Sequence, residues 1–140
     1  MRLGNDEALR RLVAHDHAVL STQSEDRGAD LVPVVYAVED DWLGVPVDRV
    51  KAKRSTRLQR VANLERDPRA TLLIEHWDRD DWSRLWWVRA DLVWEPEAPP
   101  GREVSLAGRL VDRYPQYGDG SFERVLLFRL RSLYGWAAGE

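Results

Sequence analysis

The segment Arg84-Leu85-Trp86-Trp87-Val88-Arg89-Ala90-Asp91-Leu92-Val93-Trp94-Glu95 alternates with a period of two, the spacing of side chains on a pleated strand. Trp86, Val88, Ala90, Leu92 and Trp94 share one face, apolar throughout and assigned to a core. Leu85, Trp87, Arg89, Asp91 and Val93 share the other, which mixes charge with apolar surface. The charged turn Asp78-Arg79-Asp80-Asp81 precedes this strand, and residues 69–77 ahead of the turn read as another, built on the apolar run 70–74. Downstream, Pro96, Pro99, Pro100 and Gly101 mark a loop. An amphipathic helix follows, with Val104, Ala107, Leu110, Val111 and Tyr114 at helical spacing. Tyr114-Pro115-Gln116-Tyr117-Gly118 breaks it, residues 124–131 form a last strand, and Tyr134-Gly135-Trp136 closes the pattern.

Toward the N-terminus, residues 6–14 predict a helix with Leu9, Leu12 and Val13 on one face. Residues 17–22 predict a strand, the polar run 23–30 with Gly28 a turn, and residues 31–38 a second strand. Pro33 inside that strand implies an edge, a bulge or a strand start, because proline donates nothing to a ladder. Glu39-Asp40-Asp41 is a turn into a third strand over 42–47. The next helix takes Ser55 as its cap, places Leu58, Val61, Ala62 and Glu65 on one side, and stops at Asp67-Pro68. Six strands with short turns and a helix after the third predict a mainly β (α+β) fold. The expected form is a small β-barrel with peripheral helices, one domain over 1–140.

Composition narrows the function. The formal net charge of -3 argues against a nucleic-acid binder. The chain has no cysteine, which excludes disulfides, thiolate metal sites and cysteine nucleophiles. No apolar run approaches a membrane span, and the first residues lack the apolar core of a signal peptide, so the expectation is a cytoplasmic protein that is not membrane-bound. Of the seven tryptophans, most fall between Trp77 and Trp94, where such side chains serve cores, subunit interfaces and aromatic-ligand pockets alike.

Against the acidic balance, Lys51, Lys53, Arg54, Arg57 and Arg60 place five cations around one helix start. The helix dipole disfavours cations there and favours an anion, and helix N-termini are ready phosphate cradles. The competing reading is a solvated charged face paired with Glu65, Asp67 and the acidic turns.

Several segments together resemble one family. Val50-Lys51-Ala52-Lys53-Arg54, Leu64-Glu65-Arg66-Asp67-Pro68-Arg69-Ala70 and Asp81-Trp82-Ser83-Arg84-Leu85-Trp86-Trp87-Val88-Arg89-Ala90-Asp91 are similar to the pyridoxamine-phosphate-oxidase-like flavin and deazaflavin proteins. More narrowly they resemble the PPOX-class F420-dependent enzymes. Ala18-Val19-Leu20-Ser21-Thr22, residues 31–37, Tyr114-Pro115-Gln116-Tyr117 and Gly135-Trp136 extend the match over nearly the whole chain. The resemblance implies a split β-barrel homodimer with cofactor sites at the subunit interface. The cofactor is coenzyme F420 or, as in related branches, FMN, and it serves hydride transfer with a small organic substrate. Arg60, eight positions before the helix-ending proline, is then the phosphate holder, with Lys51, Lys53 and Arg57 adding to the anion site. Ser21, Thr22, Pro33 and Val34 match the strand edges that line the ring. Arg89 matches an arginine of a Val-Arg-x-x-Gly pattern, although Leu92 stands where that pattern has glycine. Trp136 is expected to reach across the dimer.

Other readings are blander. Trp77 and Trp87 are candidates for cofactor or interface contact, and Arg89 and Asp91 can pair with each other or with a neighbouring strand. His15, His17 and His76 lack a completing ligand for a metal. No nucleophile elbow is present, so no catalytic residue is assigned and the chemistry falls to a cofactor. A non-catalytic flavin, deazaflavin or tetrapyrrole binder is the alternative from another class.

Overall fold

A computed structural model describes residues 1–48, 54–118 and 122–139; the side chains of 54–58 lie outside the description. The strands are β1 (Arg2–Leu3), β2 (Ala18–Ser24), β3 (Gly28–Val34), β4 (Ala37–Glu39), β5 (Trp42–Asp48), β6 (Arg69–His76), β7 (Trp86–Trp94) and β8 (Phe122–Ala137). The helices are α1 (Asn5–Ala14), α2 (Arg54–Arg66) and α3 (Pro100–Arg113). The strands form one antiparallel sheet in the order β3-β2-β6-β7-β8-β5-β4, with β1 added to β8. Leu20 of β2, Leu72 and Ile74 of β6, Val88 and Ala90 of β7, Phe128 of β8 and Val45 of β5 lie in one buried cluster. Strands far apart in the sheet order can share a core only if the sheet coils around it. That coiling makes the barrel.

The period of two in β7 is realised: Val88, Ala90, Leu92 and Trp94 are buried, while Arg89 and Asp91 are exposed. A register shift falls between Asp91 and Leu92. Asp91 pairs with Ser132 and Leu92 with Leu130, which leaves Arg131 as the extra residue of a bulge in β8. The site where glycine was expected therefore carries a buried leucine, and the irregularity is absorbed by the facing strand.

Five expectations are corrected. The strand predicted over 31–38 divides into β3 and β4 around Val35 and Tyr36. Tyr36 is fully buried there, and its hydroxyl donates to the Leu12 carbonyl at 2.5 Å, tying the break to α1. The last strand is far longer than 124–131, because β8 pairs first with β5 and then with β7 and β1. Trp136 lies within it, opposite Trp87.

On α3 the buried residues are Leu106 and Leu110, whereas Val104 is 73% exposed. Leu106 pairs with Leu110 at i,i+4, which rotates the packed stripe away from Val104. On α2, Asn63 and Leu64 are buried while Ala62 and Glu65 are exposed. The helix starts at Arg54, ahead of the expected Ser55 cap, and stops at Arg66 as Asp67-Pro68 dictates.

β5 is buried on both sides, its Leu43, Val45 and Val47 facing the barrel core. Trp42 faces a second cluster with Leu106, Leu110, Val125 and Leu127 under α3. Gly44 permits this approach: a Cβ there would stand 2.8 Å from Val125 Cγ1 and 3.3 Å from Leu106 Cβ. Gly44→Val is expected to destabilise the fold by about 1–3 kcal/mol through overpacking, read as a lower urea midpoint. An unchanged midpoint would show that α3 does not press on β5.

Candidate functional site

Arg60 sits on the α2 face turned toward the barrel, one turn before Asn63 and Leu64. Its Nε is buried and has no hydrogen-bond partner among the described residues. Burial pushes the guanidinium below its usual pKa, with the negative charge of Asp48 opposing the shift. Asp48 itself accepts from the Tyr117 hydroxyl at 2.7 Å. A guanidinium stays charged under such shifts, so a cation with one unanswered donor is held at the barrel wall.

Arg60 and Gln59 close one side of a cavity of about 350 Å³. The barrel supplies Thr22, Asp30, Leu31 and Val32, and the β2–β3 turn supplies Arg27. That turn depends on Gly28, whose φ of 85° is the left-handed region. Ser24 Oγ accepts from the backbone N–H groups of Asp26 and Arg27 at 3.3 and 3.2 Å, which fixes Arg27 next to the cavity. Thr22 and Asp30 are direct partners across β2 and β3, so their side chains share a face.

Asn63 holds the floor. It is only 2% exposed, and its Nδ2 donates to Thr22 Oγ1 at 3.0 Å and to Asp30 Oδ2 at 2.7 Å. Gln59 Nε2 donates to Asn63 Oδ1 at 2.8 Å and fixes the amide. Arg27 Nη2 reaches both Asp30 oxygens, at 2.8 and 2.9 Å. The donors from Asn63 and Arg27 hold the Asp30 carboxyl below its ordinary 3.8. A folded-state pKa that is lowered means the stabilisation is present above the ordinary value and fades as pH falls through the depressed one. At neutral pH Asp30 is a carboxylate. β3 ends the strand order and pairs with β2 alone among the described strands, so its outer edge carries backbone groups that the ladder does not use.

The expected site residues fall into separate places. Thr22 and Arg60 meet in this cavity. Lys51 and Lys53 lie outside the described residues, and Arg57 lies in α2 with its side chain outside the description. Val34 is buried in the main core instead of lining the cavity. Ser21, Pro33, Trp87 and Arg89 stand on the opposite, outer face of the sheet. There Pro33, Val19, Leu73, Arg89 and Tyr134 form one row across β3, β2, β6, β7 and β8. Leu31, Ser21, Thr71, Asp91 and Ser132 form the next. Trp87 stacks on Tyr134 at 5.5 Å, and the Arg89 guanidinium lies 5.3 Å from the Tyr134 ring centre. Asp91 accepts from Ser132 of the neighbouring β8 at 2.7 Å, so of the two pairings expected for this face the one with a neighbouring strand is found. Trp77 is 53% exposed and meets Trp82 edge-on, and it does not line the cavity.

Sequence reasoning missed Asp30, Asn63, Gln59 and Arg27. The i,i+4 spacing of Gln59 and Asn63 was the one available signal, since it puts two amides on one helix face. The histidines do converge, with His15 and His76 both against Trp86 and His15 stacked on His17. Among the described residues no group of His, Cys, Asp or Glu side chains could hold a metal ion. Among them, too, no helix is long and apolar enough to cross a membrane.

A coiled antiparallel sheet of eight strands with three peripheral helices is the split β-barrel fold, the architecture of pyridoxamine-phosphate-oxidase-like proteins. The chain superposes on a conserved hypothetical protein, Rv2991, from Mycobacterium tuberculosis with a TM-score of 0.75 and 23% identity, covering 97% of this chain and 86% of that one. It is similar to an FAD-binding protein (mll6688) from Mesorhizobium loti, with a TM-score of 0.69 and 13% identity over 96% of this chain and 95% of that one. A candidate pyridoxamine 5'-phosphate oxidase from Corynebacterium glutamicum aligns with a TM-score of 0.59 and 13% identity, over 96% of this chain and 94% of that one. No protein-family model matches the chain, and no curated protein does.

Proposed function

We propose that the protein is an oxidoreductase that binds a phosphate-bearing flavin or deazaflavin in the cavity between β3 and α2. The observation that carries this reading is Arg60, which lines the cavity beside paired polar groups and whose buried Nε has no hydrogen-bond partner among the described residues. A phosphate oxygen is a fitting acceptor for it, because charge-assisted hydrogen bonds to guanidinium are the strong ones. When bound, such a cofactor supplies hydride transfer, and the protein supplies binding, orientation and electrostatics. Arg60 would hold the phosphate, Thr22 and Asp30 would meet polar groups of the ligand, and the open edge of β3 would offer backbone donors and acceptors. Lys51, Lys53 and Arg57 would add charge for a phosphodiester or carboxylate tail. Coenzyme F420 is the deazaflavin that the sequence resemblance names, and FMN is the flavin. The likeness to an FAD-binding protein favours the flavin branch.

The same reading includes a homodimer. Val19, Leu31 and Leu73 are exposed apolar residues on the outer sheet face, beside Trp87 and Tyr134. A second copy on that face would cover them and bring Ser21, Pro33, Trp87 and Arg89 to an interface. The expected solution mass is twice the 16.2 kDa of one chain. Light scattering that returns a monomer would remove the dimer from the proposal.

The binding test is direct. Apoprotein titrated with FMN and with F420, followed by ligand fluorescence, is expected to bind at least one of them tightly. Bound cofactor without turnover on enones, quinones and imines would make the protein a binder and not an enzyme. Failure to bind either ligand would overturn the reading.

A further inference from the structure

We infer that Tyr117 is a positioning residue for the cavity: by holding the Asp48 carboxylate it keeps the Arg60 guanidinium open for the anionic group of the ligand. This rests on the cofactor reading of the cavity. Asp48 ends β5, and a register shift between Val47 and Asp48 sets Asp48 opposite Phe122. Irregularities of this kind re-aim a side chain at a strand end. Asp48 Oδ1 accepts from the Tyr117 hydroxyl at 2.7 Å. The charge of Asp48 acts on Arg60, and a carboxylate is a strong partner for a guanidinium. The Arg60 Nε nevertheless has no hydrogen-bond partner among the described residues. Tyr117 supplies the reason, because it turns the nearby carboxylate toward its own hydroxyl.

Tyr117 is itself fixed. After α3 the chain makes a short 3₁₀ turn over Pro115–Tyr117, in which the Tyr117 N–H donates to the Tyr114 carbonyl at 2.9 Å. The Tyr114 hydroxyl is shared between the carbonyls of Asp16 and Tyr36, at 2.8 and 3.1 Å, and ties the turn to the barrel. The Tyr117 ring meets Tyr114 and Phe122 edge-on, with centroids 6.4 and 5.2 Å apart. Burial, helped by the bond to Asp48, raises the phenol above its ordinary value, so it remains a donor at neutral pH. A phenol held through its backbone and its ring holds the carboxylate in turn. Without that hydroxyl, Asp48 can turn to Arg60 and compete with the ligand for the same donors. The Tyr114-Pro115-Gln116-Tyr117 segment thereby acquires a role at the site, through Asp48 and without touching the ligand.

The test is a double-mutant cycle on affinity, by fluorescence titration with FMN and with F420. It compares the wild type, Tyr117→Phe, Asp48→Asn and the double variant. For whichever ligand the wild type binds, Tyr117→Phe is expected to weaken binding by at least about fivefold, the worth of one hydrogen bond. Asp48→Asn cannot form an ion pair with Arg60 and is expected to bind at least as tightly as the wild type. In that background Tyr117→Phe should change affinity by less than about twofold, the range of independent sites. A merely structural tyrosine would cost the same in both backgrounds. Thermal melting checks the fold, and Asp48→Ser takes the place of Asp48→Asn if the latter does not fold. A smaller loss in Tyr117→Phe overturns the inference and leaves the cofactor reading intact. So does a loss that persists beside Asp48→Asn, or an Asp48→Asn protein that binds more weakly than the wild type. A wild type that binds neither ligand overturns the cofactor reading, and the inference with it.

Discussion

Arg60→Glu is expected to weaken cofactor binding at least tenfold, a loss of about 1.4 kcal/mol or more. The substitution replaces charge-assisted donors with a carboxylate facing an anionic ligand, in a cavity that already contains ionised Asp30. A companion variant separates binding from architecture. A buried donor left unsatisfied costs about 1–3 kcal/mol, and Arg60 Nε is such a donor. Arg60→Met should therefore leave the ligand-free protein as stable as the wild type or more so, while still losing affinity for ligand. Stability lost for function is the usual trade at a binding site. Titration by ligand fluorescence and urea denaturation together read both effects. Wild-type affinity in a folded Arg60→Glu protein would refute the assignment. A less stable Arg60→Met protein would mean that the guanidinium is a structural element.

The second large effect is expected at Asn63. Asn63→Leu keeps a similar volume but removes the donors to Thr22 and Asp30 and the acceptor for Gln59. The buried Thr22 hydroxyl loses its partner, so the fold should weaken by about 1–3 kcal/mol. Asp30 also loses the first cause of its lowered pKa, and its titration should move up toward the ordinary 3.8. Urea unfolding measures the first change and NMR titration of the carboxyl the second. Stability within about 0.5 kcal/mol of wild type, the range of neutral surface substitutions, with an unmoved Asp30 would show that Asn63 does not organise the cavity.

Much of this architecture was legible in local pattern. The alternation of β7, the helix stop at Asp67-Pro68 and the edge position of Pro33 each follow from a short-range rule that the fold obeys. Arg60 and Thr22 were identified through resemblance, and they line one cavity. The stripe of α3 was read correctly at Ala107, Leu110 and Tyr114, but Val104 was placed on it and Leu106 was not, because both are apolar and only packing against Gly44 and Val125 selects between them. The buried face of α2 was misread for a different reason. It contains Arg60 and Asn63, and a hydrophobic pattern does not register polar residues that are buried by being paired or held for a ligand.

The sequence by itself determined the strand class, the end of α2 at Asp67-Pro68 and the local reversal of charge near that helix. These rest on side-chain periodicity, proline stereochemistry and composition, all properties of neighbours along the chain. Only the tertiary structure decided that Thr22, Asp30, Asn63 and Arg60 meet at one wall, and that Ser21 faces away from it. The hydrogen bonds of Asn63 to Thr22 and Asp30 bridge 41 and 33 positions of chain. Such contacts exist only once the sheet has coiled and docked α2 against the face of β2 and β3.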